Sequence, residues 1–86
     1  MDRVIHFEVP FDDGERATTF YREAFGWQLN SMANYQYTLV TTTPTDEEGR
    51  PAEPGINGGM LERQGPITSP VLTIGVDDLD EALARI

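Results

Sequence analysis

His6 is the only histidine in the chain, and it stands two residues before Glu8 in a run of β-formers from Arg3 to Val9. Side chains alternate across a strand, so His6 and Glu8 share a face with Val4, while Ile5, Phe7 and Val9 share the other. An imidazole beside a carboxylate can hold or move a proton, which makes Glu8 the candidate catalytic residue. The plain alternative is a hydrogen-bonded histidine with only a packing role. Most other chemistries have no carrier. There is no cysteine, no G-x-S-x-G, no P-loop, no H-E-x-x-H, and no G-x-G-x-x-G after a strand. Gly55-Ile56-Asn57-Gly58-Gly59 is glycine-rich but has no neighbouring lysine, which argues against a phosphate cradle.

The elements that position this pair follow from the pattern. Pro10 cannot donate to a ladder and is expected to end the first strand, about 3–9. Asp13 is the expected N-cap of a helix over about 13–25, with Ala17, Phe20, Tyr21, Ala24 and Phe25 spaced as one apolar stripe. Gly26 stands where a left-handed residue closes a helix. Strands are expected at about 27–32 and 35–42, joined by an Ala33-Asn34 turn, and at about 56–62. Gly58-Gly59 marks a bulge or a close backbone approach. Residues 43–54 read as a polar, mobile loop, and 64–70 as a linker. A strand (71–76) and a helix (78–86) follow, the helix with Leu79, Ala82, Leu83 and Ile86 on one stripe.

A shift of 65 residues carries Phe11 onto Val76, Asp12-Asp13 onto Asp77-Asp78 and Ala17 onto Ala82. Strand, cap and apolar stripe all stay in phase across that shift, the mark of a repeated unit. The fold class is therefore α+β. A β-α-β-β-β unit occupies 1–63, a linker 64–70, and the start of a second, incomplete unit 71–86.

Composition bounds the rest. The 86 residues hold 15 Asp and Glu against six basic residues, all arginine, for a formal charge of −9. Scattered arginines do not make the positive footprint that nucleic acid or an anionic membrane requires. Apolar residues make up 38% with no run near the roughly 18 needed to cross a bilayer, so a soluble, cytoplasmic protein is expected. A chain this size hides only roughly 60–65% of its unfolded surface, so its core is thin.

His6-Phe7-Glu8-Val9-Pro10, then Arg16-Ala17 before Phe20-Tyr21, and Phe25-Gly26-Trp27 together resemble the vicinal oxygen chelate superfamily. That group includes glyoxalase I, bleomycin-resistance proteins, fosfomycin-resistance enzymes and extradiol dioxygenases. Val76-Asp77-Asp78-Leu79-Asp80-Glu81-Ala82 resembles the opening of the family's second module. The resemblance implies two modules whose curved sheets form a cup around a divalent metal or a small ligand. It maps one metal position to His6 and another to Glu62. The position 65 residues past His6 is Val71, which has no donor atom, and two ligands are too few for a catalytic zinc or an octahedral site. No cofactor is therefore expected, with Zn, Ni, Mn or Fe on His6 and Glu62 as the alternative. Without a metal, the cup is a pocket walled by His6, Glu8, Trp27, Tyr35, Tyr37 and Met60.

Three functions compete: a small-molecule binder, a metal-dependent lyase, isomerase or dioxygenase, and a structural dimerisation module. A homodimer is the expected assembly, since open strand edges invite partners. The excess of acid with no lysine also fits a salt-rich cytoplasm, where charge repulsion is screened. In that case the urea unfolding midpoint should rise steadily with KCl up to ~3 M, where the screening length is below 3 Å. Full stability in dilute buffer, unchanged by salt, would exclude adaptation of this kind.

Overall fold

The computed structural model describes residues 1–32 and 36–86. The Ala33-Asn34 turn and Tyr35 lie outside the described residues. The elements are β1 (Arg3–Phe11), α1 (Gly14–Phe25), β2 (Gln28–Met32), β3 (Tyr37–Thr41), β4 (Gly58–Glu62), β5 (Val71–Gly75) and α2 (Leu79–Arg85). The architecture is α+β, with the β-α-β-β-β order read from the sequence.

Both helices start as their acids dictate. The Asp13 carboxylate accepts from the Arg16 amide at 3.0 Å, and the Asp78 carboxylate from the Glu81 amide at the same distance. Gly26 closes α1 at φ 73°, where a side chain would be strained.

The five strands form one sheet in the order β2-β3-β4-β1-β5, with β1 and β4 parallel. β1 runs through Pro10 to Phe11 rather than ending at Val9. Past the Glu8–Val71 pair β5 no longer flanks β1, and proline is tolerated on such an edge. A second departure is a register shift between Val4 and His6, which makes Ile5 a bulge residue. Ile5 therefore does not join Phe7 and Val9 in the core and is 56% exposed.

β5 extends the first sheet, antiparallel to β1. His6, Phe7 and Glu8 pair with Thr73, Leu72 and Val71. The repeat shift of 65 carries Glu8, Phe7 and His6 onto those same three residues in the same order. The two related strands thus meet around a local two-fold axis at the Phe7–Leu72 pair.

The core lies between the sheet and α1. Phe11, Val40 and Met60 are buried, and Phe7, Val9, Ala17, Tyr21, Trp27 and Leu29 pack against them. Tyr21 and Trp27 stack with centroids 4.9 Å apart and rings 2° from parallel. The radius of gyration, 14.4 Å, exceeds the about 12 Å of a compact chain this long. Consistent with that spread, Leu72, Ile74, Leu79 and Leu83 are exposed on β5 and α2.

Segment 43–56 is tethered rather than loose. The Asn57 side-chain oxygen accepts from the Thr42 and Thr43 amides at 2.7 and 3.0 Å, and its amide donates to the Thr43 carbonyl. Asp46 accepts from the Glu48 and Arg50 amides, closing the tip. Ile56 and Asn57 precede β4 and brace this segment, so β4 starts at Gly58.

Candidate functional site

The sheet face opposite α1 carries a three-residue network. His6 Nε2 lies 2.8 Å from Glu8 Oε1, and the Tyr37 hydroxyl donates to the same oxygen at 3.0 Å. The Tyr37 oxygen is also 3.3 Å from His6 Nε2. With Glu8 as acceptor, a neutral His6 carries its proton on Nε2, which leaves Nδ1 as the nitrogen that can accept a proton.

Tyr37 reaches this pair from two strands away. It stands on β3, and β4 separates it from β1. The residue in between is Gly59, which pairs with Glu8 on one side and Leu39 on the other. A Cβ at position 59 would overlap the phenol oxygen of Tyr37, so the phenol crosses β4 only where no side chain stands. The glycine pair is therefore a site of close approach. At Gly58 a Cβ would run into the Phe7 carbonyl and ring on the other face.

Burial, then the hydrogen bond to Glu8 and its charge, push the Tyr37 pKa up to about 12. Each of these causes favours the neutral phenol. The second Glu8 oxygen, Oε2, is buried with no hydrogen-bond partner among the described residues. Such an atom costs stability until a donor or a proton meets it.

The expected wall residues divide between the two faces. His6, Glu8 and Tyr37 come together. Met60 does not join them, because it points the other way and is 0% exposed in the core beneath α1. Trp27 also leaves the wall: it precedes β2 and lies among Phe7, Tyr21 and Phe25 on the helix side. Tyr35 lies outside the described residues.

The metal pair is divided in the same way. Alternation from Gly59 through Met60 puts Glu62 on the helix face, paired with Phe11, so it cannot share an ion with His6. Val71 does stand directly across from Glu8, but without a donor. No group of three or more His, Cys, Asp or Glu is placed to hold a metal among the described residues. Of the two positions that the resemblance maps to a metal, only His6 lies on the open face.

Alternation in the sequence was enough to pair His6 with Glu8. Tyr37's reach was signalled by Gly58-Gly59, though nothing in the sequence said which side chain used the gap.

The raised phenol pKa fixes a pH effect. Unfolded Tyr37 ionises near the usual ~10, whereas the folded phenol holds its proton to about 12. The Tyr37 contribution to stability is thus complete below pH ~10 and is lost as pH climbs through the window to about 12. Tyr37→Phe should flatten that alkaline slope in urea titrations. Gly59→Ala should displace the phenol, lower stability by about 1–3 kcal/mol, and return one tyrosine to ordinary titration by ultraviolet absorbance. An unchanged titration in Gly59→Ala would refute the threading of Tyr37 over Gly59.

No helix is long and apolar enough to cross a membrane among the described residues. Residues 3–43, just under half of the chain, match a family model described as bleomycin resistance protein-like N-terminal. No curated protein matches the sequence. The matched segment spans β1, α1, β2 and β3, the elements that carry His6, Glu8 and Tyr37. The match over residues 3–43 fits the vicinal oxygen chelate superfamily that the sequence resembles.

Proposed function

We propose that this protein binds a small organic molecule on the open sheet face, over His6, Glu8 and Tyr37, without a conventional metal site. One observation supports this above the rest. The buried, unpartnered Oε2 of Glu8 sits in a network whose other members, His6 and Tyr37, are already engaged with Oε1. A ligand donor satisfies it once a neighbouring side chain shifts aside, and His6, which lines the adjacent cavity, offers a ring nitrogen as acceptor. Glu8 orients the imidazole, so the site has the parts to take a proton from a bound molecule. The overall charge of −9 favours a cationic or neutral ligand over an anion.

The metal-dependent lyase, isomerase or dioxygenase is the weaker reading. It would need donors from elsewhere, since Glu62 faces away and Val71 offers none. The two readings part on simple measurements. Metal-free bleomycin, the first probe because the matched family carries its name, should bind by calorimetry. His6→Ala or Tyr37→Phe should weaken that binding about tenfold, the equivalent of one good hydrogen bond. Metal analysis of the purified protein should return substoichiometric Zn, Ni, Mn and Fe. Bound metal at one equivalent, lost in His6→Ala, would overturn the metal-free reading. Failure of bleomycin and a panel of small organic compounds to bind or raise the unfolding temperature would overturn ligand binding altogether.

The same reading extends to a cytoplasmic homodimer. Leu72, Ile74, Leu79 and Leu83 leave apolar surface on β5 and α2, and β5 is a sheet edge open to pairing. Light scattering after gel filtration should give twice the 9.6 kDa chain mass. A monomer at all concentrations up to ~100 μM, far above the Kd of a stable dimer, would rule this out.

A further inference from the structure

Beside His6 the open face continues into a groove under segment 43–56. An inner compartment of about 270 Å³ is lined by Ile5, His6, Leu39 and Pro51. An outer one of about 710 Å³ is lined by Arg3, Glu53, Pro54 and Ile56, and again by Ile5 and Pro51. Ile5, Gly49 and Pro51 belong to both, so the two form a single groove. Its roof is pre-formed by the Asn57 hydrogen bonds to Thr42 and Thr43, as a ligand site requires.

Three aliphatic side chains are left partly uncovered there. Ile5 is 56% exposed, Leu39 44% and Ile56 37%. Ile5 lines the groove because the bulge after Val4 takes it out of the core alternation, and bulges are enriched next to functional sites, where they re-aim a side chain. A thin core gives up a large aliphatic residue, and the groove is where that residue goes.

The outer compartment has two charges of opposite sign without partners. Arg3 and Glu53 both line it, and neither has an ion pair within 4.0 Å among the described residues. Arg50, on the same wall, is tied to Asp46 and Glu48. Arg3 and His6 stand three residues apart, roughly 10 Å along the strand. A molecule with both charges at one end also avoids the net charge of −9, which would repel a simple anion.

We infer that the groove takes a zwitterion with an apolar body, the smallest being an α-amino acid with a large apolar side chain. Its carboxylate meets Arg3, its ammonium meets Glu53, and its side chain lies across Ile5 toward His6. This rests on the ligand-binding reading above and names the chemical class that the same face receives.

The test uses L-phenylalanine, its N-acetyl derivative and its amide, which share one apolar body and differ in head-group charge. In calorimetric titration the free amino acid should bind tightest. Arg3→Gln and Glu53→Gln should each weaken it about fivefold, the scale of one exposed charge pair. Ile5→Ser and Leu39→Ser should abolish binding while the unfolding transition remains cooperative. Tighter binding of the anionic or cationic derivative would overturn the zwitterion assignment. Unchanged affinity in both serine variants would overturn the groove. If no phenylalanine compound binds while bleomycin binding still responds to His6→Ala, this inference fails and the broader ligand-binding reading stands.

Discussion

The arrangement of the open face depends on one phenol lying across one glycine. Tyr37 leaves β3, passes over β4 at Gly59 and ends on Glu8 of β1. Three strands are thereby tied on the face opposite the helix, where no hydrophobic core holds them. Any side chain at 59 would block that path. Glu8 is held between phenol and imidazole, and with it as acceptor a neutral His6 carries its proton on Nε2.

The second constraint is the strand pair at the sheet edge. β1 and β5 are related by the 65-residue repeat, and they pair so that each copy of the motif meets the other about a two-fold axis. Such a pairing would place two equivalent sites side by side. Here the two strands differ in chemistry: His6 and Glu8 on one stand across from Thr73 and Val71 on the other. The imidazole and carboxylate occur once, and the related positions offer a hydroxyl and an isopropyl group. The hydrogen-bonding imidazole and carboxylate therefore stand on one strand of this pair only.

The helix side shows where the small core's stability comes from. Among the described residues only a few are fully buried, and the aromatic rings of Phe7, Tyr21 and Trp27 pack against them. Aromatic rings supply much buried area per residue, which is what a chain of this length needs. Using Trp27 and Met60 in this way removes them from the open face. The open face is consequently built from small, polar and aliphatic residues, with the aliphatic ones partly uncovered in the groove.

Much of this was written in local pattern. The caps at Asp13 and Asp78, the glycine stop at 26 and the β-α-β-β-β order all depend on neighbours within a few residues, so periodicity and capping chemistry determined them. Alternation along one strand likewise put His6 and Glu8 side by side. What the sequence by itself left undetermined was every relation between strands. Register decided that Met60 and Glu62 face the helix. A one-residue bulge turned Ile5 out of the core, and the passage of a distant tyrosine over Gly59 completed the network with His6 and Glu8. The physical reason is that a strand's side chains have a period of two, so one slip or bulge exchanges its faces, and only pairing in three dimensions fixes which face meets which.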